Sequence, residues 1–155
     1  MKEKIGLSNQ IKITVRNLDG SVKEVKILKN QIKNGWLNAF RDAMLGVDID
    51  FEVKYLSWGS SNVVNDRAQT QLGAEFGRKQ VTSRSATGTG EILTTVYISP
   101  QEAVEETIEE LAWWAGDATD TPNSGLMIGR ILYHRDKTNL ESIEIERTDT
   151  ISEVI

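Results

Sequence analysis

The apolar positions of this chain recur mostly every second residue, the period of strands that bury one face. In "QIKITVRNLDGSVKEVKILKN", Ile11, Ile13 and Val15 alternate with polar residues before Asp19-Gly20, and Val22, Val25 and Ile27 follow it. Asp-Gly supplies the positive φ that a tight turn requires, so the segment predicts a β-hairpin. "FEVKYLSWGSS" predicts a strand running into a small-residue turn. "GRKQVTSRSATGTGEILTTVYISP" holds two β-rich runs around Ala86-Thr87-Gly88-Thr89-Gly90. In the second, Ile92, Thr94, Val96 and Ile98 alternate against Leu93, Thr95 and Tyr97, which predicts a second hairpin. "GLMIGRILYHRD" and "LESIEIERTDTI" read as strands joined by the turn "DKTN", with Ile143 and Ile145 inward and Glu144 and Glu146 outward.

Two segments depart from that period. "NGWLNAFRDAMLG" puts Leu37, Phe40 and Met44 on one helical face, with Ala43 beside them and Gly46 at the C-cap position, so it predicts a helix near residues 34–45. "SPQEAVEETIEELAWWAG" supports two patterns. Val104, Ile108, Leu111 and Ala115 fit a helical face, and Ser99 with Glu102 fits a capping box around Pro100. Residues 107–114 also alternate as a strand would. Locally, helix is favoured. The expected class is mainly β: an antiparallel β-sandwich or barrel with one α-helix near residues 34–45, in a single domain spanning 1–155.

Length and charge narrow the partners. A chain of 155 residues fits one core. A net charge of −5 and a pI near 5.0, with no cluster of Lys and Arg, argue against nucleic acid. There are no cysteines, which removes disulfides, thiolate metal sites and thiol catalysis. The opening "MKEKIGLSNQIKITVRN" lacks the apolar run of a signal peptide, and no stretch approaches the roughly 20 apolar residues of a membrane span. A soluble chain with no membrane partner is expected.

Candidate chemistry is thin. His134, the single histidine, lies in "LYHRDK" beside Arg135 and Asp136 without the partners of a triad, and reads as a surface residue. Glu102, Glu105, Glu106, Glu109 and Glu110 read as a solvated acidic face. Asp117, Asp120, Asn123 and Ser124 offer oxygen ligands in a loop, but not at EF-hand spacing, so a structured turn is favoured over a cation site. The glycines near residues 87–90 lack the Lys and following helix of a phosphate-binding loop. No catalytic residue, cofactor or metal is assigned, and an enzyme, for instance a carbohydrate-active one with two converging carboxylates, stands as the outside alternative.

The succession "NGWLNAFRDAMLG", "VKYLSWGSS", "RAQTQLGAEFGRKQVTSRSATGTGEILTTVYISPQEA" and "IEELAWWAGDATDTPNSGLMIGRILYHRDKTNLESIEIERTDTI" resembles a family of small bacteriophage and prophage virion structural proteins. The marks are a helix at residues 34–46, a strand ending in Trp58-Gly59-Ser60-Ser61, an element carrying Thr70, Leu72, Glu75 and Arg78, and a strand through Glu110-Leu111-Ala112-Trp113-Trp114. Ala112 sits one place later than the family's small residue, and tryptophans replace a smaller aromatic. The likeness covers roughly residues 30–151, leaving residues 1–30 as an N-terminal hairpin extension to a 31–151 core.

The resemblance implies a tail, baseplate or fibre component of the virion, working as a homo-oligomer, a trimer above all, against other virion proteins. A capsid decoration protein is the alternative. It also implies that residues 108–115 form a strand, after at most a short turn of helix at 100–104. Strand-borne Trp113 and Trp114 would then face opposite ways, one into the core and one towards a subunit contact. Trp58, Trp113, Trp114, Asp117, Asp120 and Asn123 are the interface candidates, and the terminal segments "MKEKIGLSNQ" and "ISEVI" are expected to dock on neighbouring subunits.

Overall fold

The computed structural model describes residues 2–155 and forms two facing antiparallel sheets of five strands each, a sandwich and not a closed barrel. The first sheet contains β1 (Ile5–Asn17), β2 (Val22–Lys29), β6 (Ser83–Gly88), β7 (Glu91–Ile98) and β10 (Glu141–Glu153), in the order β2-β1-β10-β7-β6. The second contains β3 (Gln31–Ile32), β4 (Tyr55–Gly59), β5 (Glu75–Gln80), β8 (Ile108–Ala115) and β9 (Leu126–Arg135), in the order β3-β9-β8-β4-β5. Helix α1 (Asn34–Met44) follows β3.

The alternation seen in the sequence sets the register. Ile13 pairs with Ile145 and Val15 with Ile143, while β10 lays the same two isoleucines against Val96 and Ile98 of β7. All six are buried and meet Leu56, Trp58, Leu111, Trp113 and Ile131 of the second sheet. Each such aliphatic side chain stabilises the fold by about 1.5–3 kcal/mol. At the Asp19-Gly20 turn, Gly20 has φ +86°, and the Asp19 carboxylate accepts hydrogen bonds from the backbone N–H and hydroxyl of Ser21.

Several expectations are corrected. The first hairpin is not an extension: β1 pairs with β10 along thirteen rungs and supplies core residues. Residues 5–10 and 151–153 of the terminal segments are not loose arms, because residues 5–10 of β1 pair with residues 148–153 of β10. Residues 22–27 alternate as expected, yet Val22, Val25 and Ile27 face solvent, and Leu28 is the β2 residue that packs on the core.

The helix is where expected, with Gly46 at φ +89° just beyond it, but its buried face is rotated. Trp36 and Ala39 turn inward, whereas Leu37 and Met44 are exposed, because Trp36 and Phe40 join Phe51 in an aromatic cluster. The long run at 77–88 divides at Val81-Thr82, so that β5 and β6 lie in different sheets. At residues 99–104 there is a turn and no helix. The Ser99 N–H donates to the Glu102 carboxylate as in a capping box, but Ala103 takes φ +58° and leads the chain into β8.

Candidate assembly surfaces

β8 carries Trp113 and Trp114 on opposite faces, as strand geometry requires. Trp113 lies between the sheets. Trp114 points outward from the second sheet, but it is fully buried, because residues 60–74 and 116–125 fold over that face. Under this cover it packs with Leu72, Ala112, Ala118 and Met127 and donates its indole N–H to Ser57 Oγ at 2.6 Å. A bulge opposite the pair, at Ile128, keeps Ile128 inward and Met127 outward. Trp58 is buried too, its indole lying against Gly77 so closely that a Cβ there would sit 2.3 Å from its nitrogen. The expected contact surface at Trp58, Trp113 and Trp114 is therefore internal.

The cover is fastened by three polar clamps that pair residues far apart in sequence. Arg130 Nε donates to Glu110 Oε2 at 2.8 Å, both side chains fully buried, and the same carboxylate accepts the N–H groups of Gly73 and Ala74. Lys33 Nζ donates to Asn65 Oδ1 at 2.5 Å, Asp66 O at 2.6 Å and Gln69 Oε1 at 3.1 Å. Burial, with the nearby Arg130 charge, pushes the Lys33 ammonium down to about 8 against the partial compensation of Asp66. Arg78 forks onto Glu75, stacks 4.7 Å from the Trp114 ring centroid and donates to the carbonyls of Thr119 and Ser124.

This places the remaining candidates. Asp117, Asp120 and Asn123 are exposed on the outer loop, which Arg78 and Glu75 hold from beneath; the Asn123 N–H donates to Glu75 Oε2 at 2.8 Å. Among the described residues, no three His, Asp or Glu side chains converge as a metal site. His134 is exposed, with Nδ1 2.9 Å from Glu109 Oε1 and Nε2 3.7 Å from Asp136 Oδ2. The acidic run is not uniformly solvated: Glu110 is the buried ion-pair partner. Burial pushes Glu102 up, but Lys79 and the Ser99 N–H outweigh it, leaving that carboxyl below its ordinary value. No helix among the described residues is long and apolar enough to cross a membrane.

The surface that sequence reasoning missed lies at one end of the sandwich. β2 pairs with β1 only from Gln10 onward and β7 pairs with β10 only up to Thr150, so residues 5–9 and 151–153 run past their neighbours as a two-stranded ribbon. Beneath the ribbon a cavity of about 380 Å³ opens. Trp36, Phe40 and Phe51 wall one side, with ring centroids 4.7–5.2 Å apart, and Leu7, Ile92 and Ile151 wall the other. Arg84 and Glu52 pair across its rim at 2.5 Å. A neighbouring recess shares Leu7 and Ile32 with it and adds Ile5 and Leu37, so the apolar surface is continuous. The signal in the sequence was Trp36 and Phe40 one helical turn apart, completed by Phe51 beyond the helix.

No family model, no curated protein and no solved structure matches this chain.

Proposed function

We propose that this chain is a structural protein of a bacteriophage particle, a component of the tail, baseplate or fibre that works as a homo-oligomer, a trimer above all. The viral part rests on the sequence resemblance across residues 30–151. The assembly part rests on surface area. A compact monomer of 17.3 kDa has an accessible surface of about 7,800 Å². The chain exposes 8731 Å². The excess is about 900 Å², close to the roughly 800 Å² that one partner contributes to a standard protein interface. Part of that surface is the ribbon and the apolar mouth beneath it, which subunit contact would remove from water.

Light scattering on the purified chain tests the assembly. A mass of three chains is the expected outcome, and a monomer at every concentration refutes the reading. Incubation of the oligomer with capsids stripped of accessory proteins, and separately with tails, then tests the placement. Binding to tails and not to capsids is expected. Capture by capsids with a rise in their melting temperature makes it a decoration protein instead.

A further inference from the structure

We infer that the cavity beneath the β1–β10 ribbon binds a small neutral aromatic molecule, of roughly two fused rings, that carries one hydroxyl or carbonyl oxygen. The inference goes beyond the proposed assembly role and does not depend on it, since the site lies within one chain.

Towards this end of the sandwich the inward positions of the first sheet change from aliphatic to polar. On β10, Ile143 and Ile145 are followed at the same alternation by Arg147 and Asp149, and on β7 the inward series runs from Ile98 and Val96 to Thr94. Thr94 and Asp149 line the cavity, and Arg147 is the register partner of Thr94 on the next strand. Thr94 and Arg147 are each 0% exposed. Among the described residues, the Thr94 hydroxyl and Arg147 Nη1 find no hydrogen-bond partner. Buried polar groups are ordinarily satisfied, and an unmet one costs stability. Here the unmet hydroxyl and the cavity fall at one place, so a guest that fills the second also answers the first.

The lining sets the chemistry of that guest. Trp36, Phe40 and Phe51 wall one side, with ring centroids 4.7–5.2 Å apart, and rings so arranged favour a flat aromatic body. An apolar cavity of about 150 Å³ holds a benzene ring, so one of about 380 Å³ has room for two fused rings. The charges are already matched. Arg84 pairs with Glu52 at 2.5 Å and donates to the Val53 carbonyl, while the Asp149 carboxylate accepts Arg147 Nε and Nη2, both at 2.7 Å. A charged guest would enter without a counter-charge and lose its hydration, so a neutral one fits. What is left over is the Thr94 hydroxyl, which both donates and accepts. A single oxygen on the guest matches it. An apolar enclosure with few, placed polar groups is the usual make-up of a small-molecule site.

The test measures binding to the purified chain by equilibrium dialysis, with three probes that share one aromatic body: naphthalene, naphthol and naphthoate. Naphthol is expected to bind with a Kd of about 10 μM, naphthalene about 10-fold more weakly and naphthoate about 100-fold more weakly. Thr94→Val keeps the shape of the side chain and removes the hydroxyl. It should bring naphthol down to the affinity of naphthalene and leave naphthalene unchanged. Ile92→Trp, at a wall position that is 42% exposed and so tolerates a larger side chain, should block all three. Circular dichroism establishes that each variant folds. Equal binding of naphthol and naphthalene by wild type, or a preference for naphthol that survives Thr94→Val, overturns the polar anchor and with it the inference. Naphthoate bound tightest overturns the neutral guest. No binding of any probe, or binding that Ile92→Trp leaves intact, overturns the site itself. Should Thr94→Val fail to fold, the order of the three probes on wild type and their loss in Ile92→Trp decide. None of these outcomes bears on assembly, which the mass of the chain in solution tests separately.

Discussion

The two faces of the second sheet each bury a tryptophan, but by different means. Trp113 is covered by another sheet, whose backbone polar groups are already spent on ladder hydrogen bonds, so aliphatic side chains do most of the covering, joined by one buried guanidinium, Arg147, which lies 6.0 Å from the ring centroid and is paired with Asp149. Trp114 is covered by loops, whose N–H and C=O groups have no ladder to join. There the sequence supplies charged side chains instead: Glu110 takes the N–H groups of Gly73 and Ala74, Lys33 takes the carbonyl of Asp66, and Arg78 takes those of Thr119 and Ser124. The face closed by a sheet depends mainly on volume, while the one closed by loops depends mainly on satisfied charge.

The largest test of that contrast is Trp113→Ala, which leaves a cavity between the sheets and should cost about 5 kcal/mol, at the upper end for an aromatic deleted from a core. Denaturant unfolding followed by circular dichroism measures it, and a loss under about 2 kcal/mol would mean that the two sheets can close over the gap. Next is Glu110→Ala, which leaves the Arg130 guanidinium buried without its counter-charge and should cost about 4 kcal/mol. The paired replacement Glu110→Leu with Arg130→Met should recover part of that loss, because it also removes the stranded charge. Recovery stays incomplete while Gly73 and Ala74 lack their acceptor. A double variant no better than the single would show that packing, and not charge, fastens the cover.

These clamps mark the limit of what the sequence makes legible. The strands, the Asp19-Gly20 hairpin, the helix span and the inward face of β10 follow from local periodicity and turn chemistry. The local pattern favours a helix at Val104, Ile108, Leu111 and Ala115 over the strand that forms, because a strand buried on both faces loses its alternation of apolar and polar residues. The cover over Trp114 depends on pairs 20 to 46 residues apart, which periodicity does not register. Glu110 shows the difficulty: its place in an acidic run reads as a solvated face, whereas in the structure it is buried against Arg130 and takes the N–H groups of Gly73 and Ala74. The rotated face of α1 was hidden for a related reason, since Phe51, which draws Trp36 and Phe40 inward, lies outside the helix.

A milder change separates the stacking of Arg78 from its charge. Arg78→Lys keeps a cation beside Glu75 but gives up the fork and the broad contact with Trp114, and should cost about 2 kcal/mol. The loss should concentrate in the loop at residues 116–125, so limited proteolysis there should accelerate more than global unfolding does. Equal acceleration at the Trp113 side would erase the distinction between the two faces.

The smallest effect expected is one of pH, and it acts through Lys33. With its ammonium at about 8 in the folded chain and near 10.5 when unfolded, the unfolded state holds the proton more tightly between those values. Burying the charged lysine therefore costs stability at neutral pH, and that cost is relieved as pH rises from about 8 towards 10.5. Between about pH 7.5 and 9 the gain should be about 1 kcal/mol. Lys137, also lowered by burial, contributes in the same direction, while Tyr133, raised to about 12, begins to oppose it only above its unfolded value of 10. Lys33→Met isolates the effect. It removes the titrating group, so its stability should rise less than that of wild type over the same range, although it is the less stable protein at pH 7.5 because Asn65, Asp66 and Gln69 lose their donor. The core face has no counterpart to this slope, since the side chains packed around Trp113 in the hydrophobic cluster carry no group that titrates in that range. Parallel curves for wild type and Lys33→Met would mean that the lysine keeps its ordinary affinity for the proton, and that the cover breathes enough for water to reach it.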